Sequence, residues 1–189
     1  DGWAWYKDNP NLRLVLNTTS ADTVEEALDE IEDEHLDDMQ TFIVDSETKI
    51  YENMQLSGLS VAEKRARLKG QDVDDANISQ REWGKIKLIT KRIQSTKILL
   101  ASKGKNVVSI AQEKDVKEKK GNDWVTVGYE PDASKGLGYD YDIILRFFTE
   151  EDKDGNILYK AKVDKDRTNV TKRGQIIENP SFERWREVY

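Results

Sequence analysis

Short apolar runs of four to six residues alternate along this chain with longer segments whose apolar residues recur at helical spacing. Polar or turn-forming residues bound the runs, as is typical of strands buried in a parallel sheet. The runs are Leu12–Leu16, Thr41–Val44, Val107–Ala111 and Asp142–Phe147. Because these strands alternate with helices, the sequence predicts an α/β fold with a mainly parallel sheet flanked by helices.

An acidic amphipathic helix is predicted from Asp22, because apolar residues recur at helical spacing from Val24 to Ile31 and Asp22 forms a capping pattern with Glu25. From Asp22 to Met39 the chain has ten acidic residues and no Lys or Arg. This stretch accounts for the formal net charge of −7, and the rest of the chain is slightly positive. The total charge therefore decides little about partners.

A second, longer helix is predicted after Ser79, which is spaced from Glu82 as a capping box, and Gly104 is expected to end it. One side of this helix is apolar. That side carries Trp83, Ile86, Ile89, Ile93, Thr96 and Leu100. The capping box and the apolar stripe agree, which makes this the most strongly indicated helix.

The domain organisation predicted for these 189 residues is a single core spanning residues 1–189. Residues 56–78 are polar and predict a mobile insertion with a short helix. Near the other end, the Asp-Gly pair within Lys153–Asn156 lies between two β-type runs and predicts a C-terminal hairpin. The first residues lack an initiator Met, so we expect residues upstream of Asp1 to be missing.

The composition predicts a soluble, cytoplasmic protein. No apolar stretch reaches the ~20 residues that a membrane helix requires, and the opening residues do not resemble a signal peptide. The chain has 0 Cys, which excludes disulfides and thiolate metal sites and suits a reducing compartment. The only His, His35, has no second His or Cys beside it, so a zinc site and a Ser-His-Asp triad are not expected.

The run Thr41–Val44 delivers one carboxylate, Asp45, to its end, followed by Ser46. In an α/β sheet, ligands bind at the carboxyl ends of the strands. A carboxylate held there can orient Mg²⁺ and its waters beside nucleotide phosphates, which is the Walker-B form. The alternative is that Asp45 only caps the following turn.

The order of the motifs resembles the phage nucleotide-binding protein family, the RecA-like P-loop ATPases of phage recombination modules. The resemblance extends from Leu12 to Thr168. It rests on the Asp45-Ser46 strand end, the Trp-bearing helix, the strand before Gln112, the strand at Asp142 and Lys165-Asp166-Arg167-Thr168. It implies a RecA-like core that binds ATP and Mg²⁺, in a bacterial, phage-encoded or prophage-encoded protein.

Several site residues follow from the resemblance. Asp45 matches the magnesium-side acid, and Ser46 belongs to the same nucleotide site. Gln112 matches the polar sensor that relays nucleotide state, although an amide at a strand end also satisfies backbone groups. Lys165 and Arg167 match a basic pair presented to a neighbour's phosphates, which implies a homo-oligomeric ring or filament. The alternative for this pair is ordinary solvated surface.

The sequence departs from the family because it contains no Gly-x-x-x-x-Gly-Lys-Ser/Thr. This motif is the P-loop, which binds the nucleotide phosphates. The two Gly-Lys pairs in the chain, Gly84-Lys85 and Gly104-Lys105, lack the other residues of the motif. We therefore expect the P-loop unit to lie ahead of Asp1 and these residues alone to be inactive. The usual catalytic carboxylate is also expected upstream, and Glu47 is expected to face solvent at the start of the next helix.

Single-stranded DNA is the expected nucleic-acid partner. In the segment after Gln112, basic and aromatic residues interleave and are able to neutralise phosphates and stack a base. The candidates are Lys117, Lys119, Lys120 and Trp124. Neighbouring acidic residues nearly cancel the charge, so a solvated hairpin is an equal alternative. For the whole chain, the competing function is a non-catalytic α/β protein-interaction module.

Overall fold

The computed structural model describes residues 2–189 and divides the chain into two compact units, Asp1–Lys135 and Gly136–Tyr189. The sequence predicts one core instead. Each unit has its own hydrophobic cluster, and that of the second unit is formed by Val163, Ile177 and Trp185. A short 3-10 helix, Gly2–Tyr6, opens the described part of the chain.

The first unit is built on two parallel strands, β1 (Thr41–Asp45) and β2 (Asn106–Ile110). Their register aligns Ile43 with Val108 and Asp45 with Ile110, so both strands end at the same edge. Val44 is buried, whereas Ile43, Val108 and Ile110 are substantially exposed on the other face. Both strands are where the apolar runs predict them.

Three helices pack in the first unit: α1 (Ala21–Glu30), α2 (Glu47–Leu68) and α3 (Gln80–Ser102). A π-helical turn, Ile31–His35, continues α1. The predicted capping box at the start of α3 is present. The cap predicted at Asp22 is wrong by two residues, because the hydroxyl of Ser20 accepts the hydrogen bond from the backbone N–H of Thr23, at 3.4 Å.

Residues 56–68 belong to α2, in place of the mobile polar insertion predicted over 56–78. The buried side of this helix uses small side chains at a spacing of four, Gly58, Ala62 and Ala66. A Cβ added at Gly58 would lie 3.5 Å from side-chain atoms of Ile78 and Ile86, so this stretch packs closely. Small residues carry little hydrophobic signal, and the sequence pattern therefore predicts only a short helix where α2 continues to Leu68.

The core of the first unit lies between the helices and one face of the β1–β2 sheet. Leu28 of α1 and Leu100 of α3 are almost completely buried. The other buried members are Ala21, Val24, Ile31, Val44, Ile50, Met54, Ile86 and Ile93. Burying each large apolar side chain contributes roughly 1.5–3 kcal/mol relative to leaving it in water.

The predicted strand at Leu12–Leu16 is wrong: the segment is irregular and pairs with no strand among the described residues. Its side chains are exposed. A strand is stabilised by the backbone hydrogen bonds of a neighbouring strand, so an apolar run without a partner does not form one.

After β2, the chain forms an antiparallel hairpin of β3 (Glu113–Lys120) and β4 (Asp123–Pro131). The register shifts between Val116 and Lys117. Most of the hairpin's side chains are exposed. The segment after Gln112 is therefore an exposed antiparallel hairpin.

The second unit is a three-stranded antiparallel sheet of β5 (Ile143–Glu151), β6 (Ile157–Asp166) and β7 (Ile176–Glu178). The predicted hairpin turn joins β5 to β6. In that turn a carboxylate oxygen of Asp152 accepts hydrogen bonds from the backbone N–H groups of Asp154 and Asn156. Gly155 has a φ of 81°, which favours glycine.

The fold is mixed α/β, as the sequence predicts. However, only β1 and β2 are parallel among the described strands, and the other pairs are antiparallel. The expectation of a mainly parallel sheet is therefore not met, because the runs after β2 pair with their sequence neighbours through short turns. None of the helices described in residues 2–189 is long and apolar enough to span a membrane.

Candidate functional site

The carboxyl ends of β1 and β2 form the first candidate site. Asp45 ends β1 with an exposed side chain, and Ser46 follows through a cis peptide bond. Ile110 is the register partner of Asp45, and it ends β2 two residues before Gln112. The structure therefore brings together, at one sheet edge, the predicted metal-side acid and the predicted sensor.

A hydrogen bond connects the two strand ends. The backbone N–H of Gln112 donates to Oγ1 of Thr48 at 2.9 Å. Thr48 lies in the first turn of α2 and is completely buried. The side chain of Gln112 is exposed. The segment after β2 is thus fastened to the helix that follows β1, while the Gln112 amide faces outward at the edge.

Glu47 is buried, which overturns the expectation that it faces solvent. Its carboxylate forms an ion pair with Lys97 of α3, and the Lys97 side chain is 2% exposed. The hydroxyl of Ser109 in β2 donates a hydrogen bond of 2.6 Å to the same Glu47 oxygen. Burial lowers the pKa of Lys97, and the neighbouring Glu47 carboxylate opposes this shift.

Lys97 is not among the residues predicted from the sequence, although the sequence contains a signal for its burial. Lys97 follows Ile86 and Ile93 and precedes Leu100 along the buried side of α3. A lysine within a buried apolar stripe requires an anionic partner. The periodicity therefore indicates a buried ion pair, but it does not indicate which carboxylate forms it.

Oxygen donors at the β1 end fit a magnesium ion. Asp45 offers an exposed carboxylate and Ser46 a partly exposed hydroxyl, and Mg²⁺ is held in proteins by one or two carboxylates together with phosphates and water. A different group of possible ligands, Glu30, Glu34 and His35, lies at the π-helical turn. His35 and Glu30 approach to 3.7 Å there, and both glutamates are exposed.

In the second unit, the predicted basic pair gathers around one turn. The Lys165 ammonium donates hydrogen bonds to the carbonyls of Gly138 and Tyr139 at 3.1 and 2.6 Å. The Arg167 guanidinium donates to the Tyr139 carbonyl at 2.9 Å and lies 3.5 Å from the Asp142 carboxylate. Both cations also lie over the Tyr139 ring. Burial and the positive charge of Arg167 lower the pKa of Lys165.

Between the two basic residues, Asp166 organises the end of β6. Its carboxylate accepts hydrogen bonds from the backbone N–H and the hydroxyl of both Thr168 and Thr171, and from the indole N–H of Trp185. Burial alone would raise the pKa of Asp166, but these donors outweigh it and hold the pKa far below its usual range. Asp166 is therefore a structural anion within this unit.

The predicted nucleic-acid residues lie on the β3–β4 hairpin. The register pairs Lys119 with Trp124 and Asp115 with Tyr129. Because side chains alternate along β3, Lys117 lies on the same face as Lys119 and Asp115, and the register shift places both aromatic residues on this face. Lys120 pairs with Asp123 and points to the opposite face. The four predicted residues are therefore divided between two faces.

Comparison with known proteins adds no relative: no protein-family model matches the sequence, and no curated protein or solved structure is significantly similar to it. The resemblance to the phage nucleotide-binding proteins thus rests on the order of the motifs and stays a prediction.

Proposed function

We propose that this chain is part of a RecA-like phage ATPase and that it contributes the magnesium side of an ATP site at the carboxyl edge of the β1–β2 sheet. The observation that supports this proposal is the shared edge: Asp45 ends β1, and Gln112 lies two residues after the end of the adjacent parallel strand β2. Ligands of open α/β sheets bind at such edges.

The roles at this edge follow from chemistry. Asp45 and Ser46 hold Mg²⁺, which neutralises charge on the nucleotide phosphates when it is bound. Gln112 presents an amide that is able to hydrogen-bond a terminal phosphate or a water. No P-loop occurs in the 189 residues, so the proposal requires a phosphate-binding loop from outside them. The 189 residues alone are therefore expected not to hydrolyse ATP.

The second unit contributes through oligomerisation in this proposal. Lys165 and Arg167 act on the phosphates bound by a neighbouring subunit in a ring or filament. Each cation now contacts the 138–142 turn of its own unit. They would have to exchange these contacts for phosphate oxygens, which bind guanidinium and ammonium groups strongly.

Single-stranded DNA is the proposed partner of the hairpin, in recombination or replication. Trp124 is 68% exposed and pairs with Lys119 across the hairpin, so one face offers a stacking surface beside a phosphate-binding cation. Asp115 lies 3.7 Å from Lys117 on that face and reduces its positive charge. The proposed location is the bacterial cytoplasm, in a phage-encoded or prophage-encoded protein.

A non-catalytic protein-interaction module is the second candidate. The observation that favours it is the exposed apolar face of the β1–β2 sheet, where Ile43, Val108 and Ile110 are 60%, 43% and 46% exposed. Parallel sheets are normally covered on both faces, so this face has the character of an interaction surface.

The test uses the protein as its gene encodes it, including any residues ahead of Asp1. ATP turnover is measured with and without single-stranded DNA for the unaltered protein and for Asp45→Asn. Asp37→Asn is the matched control, because Asp37 is exposed in the acidic segment away from the sheet edge. DNA-stimulated turnover that Asp45→Asn abolishes and Asp37→Asn retains supports the ATPase. Absence of turnover in the unaltered protein favours the interaction module.

A further inference from the structure

Glu47 lies at the junction between β1 and α2, and three different elements hold it in place. It is the first residue of α2, it pairs with Lys97 of α3, and it accepts a hydrogen bond from Ser109 of β2. The next residue, Thr48, is fastened to the backbone of Gln112. Glu47 and Thr48 therefore connect the start of α2 to α3, to β2 and to the segment after β2.

This anchoring is costly as a means of stabilising the fold. Removing two charges from water carries a large desolvation penalty, and apolar residues of similar volume often give equal or greater stability. The position of the pair indicates what the network achieves instead. One residue, Ser46, separates Glu47 from Asp45, whose side chain is exposed at the sheet edge.

The contacts also argue against Glu47 as the base that activates water. A general base must reach the proton it removes, directly or through one water. The Glu47 side chain is 10% exposed, and one of its oxygens is shared by Lys97 and Ser109. Glu47 is therefore suited to holding its neighbours in place.

We propose that Glu47, Lys97 and Ser109 form a positioning network that fixes Asp45 and Ser46 in the orientation required to bind a divalent cation with nucleotide. This inference rests on the proposed function, because it assigns the network to the same magnesium site. Groups that orient metal ligands commonly change metal affinity or activity by about 10–100-fold when they are removed.

The test measures Mn²⁺ binding in the presence of ATP by electron paramagnetic resonance, with the protein as its gene encodes it. Lys97→Met leaves the Glu47 carboxylate without its cation, and we expect Mn²⁺ affinity to fall by roughly tenfold or more. Lys91→Met is the matched control on the exposed side of the same helix, and it should bind Mn²⁺ as the unaltered protein does.

Two further variants separate positioning from folding. Ser109→Ala removes one hydrogen bond to Glu47 and should weaken Mn²⁺ binding in the same direction, by a smaller factor. The double variant Glu47→Gln with Lys97→Met removes both charges. It should recover thermal stability relative to Lys97→Met without recovering Mn²⁺ affinity.

The outcomes distinguish failure of the proposed magnesium site from failure of the positioning network alone. If the unaltered protein binds no Mn²⁺ with ATP, the proposed function fails and this inference fails with it. If the unaltered protein binds Mn²⁺ and the folded Lys97 and Ser109 variants bind it equally well, only the positioning network is overturned. The network is also overturned if Glu47→Gln keeps normal Mn²⁺ affinity while ATP turnover falls by about 10²–10⁴-fold, the loss typical of a missing general base.

Discussion

The backbone N–H of Gln112 donates a 2.9 Å hydrogen bond to Oγ1 of Thr48, and this bond joins the segment after one parallel strand to the first turn of the helix after the other. The two residues are 64 positions apart in the chain. Because Thr48 is fully buried, water cannot take the place of either partner without opening the core. This contact fixes the sheet edge at which the proposed site lies.

Replacing Thr48 with Val tests the importance of this bond. The substitution keeps the branched shape of the side chain and removes the acceptor, which leaves the Gln112 N–H without its partner. We expect the free energy of unfolding to fall by about 1–3 kcal/mol, measured by urea denaturation. Thr48→Ser keeps the hydroxyl and serves as control for that hydrogen bond. Equal stability of Thr48→Val and the unaltered protein would contradict the structure.

The core of the first unit is tested at α3. Leu100 is fully buried, and Leu100→Ala should destabilise this unit by about 2–5 kcal/mol, through lost burial and the cavity that remains. Leu68→Ala is the matched control, because Leu68 is 88% exposed at the end of α2 and should change stability by less than about 0.5 kcal/mol. Stability is measured by thermal unfolding. Similar losses of stability in the two variants would show that Leu100 is not packed in the core as the structure has it.

Asp166 gives the second unit a predictable dependence on pH. Its folded-state pKa is depressed, so its contribution to stability is fully present above the ordinary Asp value of 3.8 and is lost as the pH falls toward the folded-state value. Asp166→Asn should lower stability near neutral pH by about 1–3 kcal/mol, since an amide nitrogen cannot accept from the surrounding donors.

The measurement for Asp166 is urea unfolding from about pH 6 to about pH 2, followed by the indole N–H resonance of Trp185. Asp166→Asn should show a weaker loss of stability on acidification than the unaltered protein. Asp154→Asn, at an exposed position of the β5–β6 turn, should keep the normal acid profile. An unchanged acid profile in Asp166→Asn would rule out the depressed pKa.

The β3–β4 hairpin is tested with a labelled single-stranded oligonucleotide in fluorescence anisotropy titrations. Trp124→Ala should weaken binding by about 1–3 kcal/mol, the usual contribution of one stacked base. Lys119→Ala should weaken binding and lower the dependence on salt concentration. Lys120→Ala is the matched control on the opposite face and should have a smaller effect. Equal effects of the two lysine variants would indicate nonspecific attraction.

Local patterns predicted the elements whose signals are contained in a few residues. The uninterrupted run Thr41–Val44 predicts β1, and the spacing of Ser79 and Glu82 predicts the start of α3. Leu12–Leu16 has a similar apolar run, but strand formation also requires a partner whose identity the run does not contain. Gly58 and Ala62 show the opposite case, in which small side chains pack closely without a hydrophobic signal.

In the candidate site, too, some residues are predictable from local sequence and others depend on distant contacts. Asp45 is predictable because it directly follows the apolar run Thr41–Val44, and the position of Gln112 follows from β2. The burial of Glu47 depends on Lys97, which is 50 residues away in the sequence, and on a hydroxyl from a second strand. Sequence spacing predicts neither contact, so Glu47 is expected at the surface until the packing of α3 is known.

The most direct test of the magnesium-nucleotide site is isothermal titration of the naturally encoded protein with ATP, in Mg²⁺ and in excess chelator, beside Asp45→Asn. We predict that ATP binds in Mg²⁺, and that chelation or Asp45→Asn weakens binding by about tenfold or more, equivalent to about 1.4 kcal/mol. ATP binding that is absent, or that is unchanged by both the chelator and Asp45→Asn, would contradict a magnesium-nucleotide site at the β1–β2 edge.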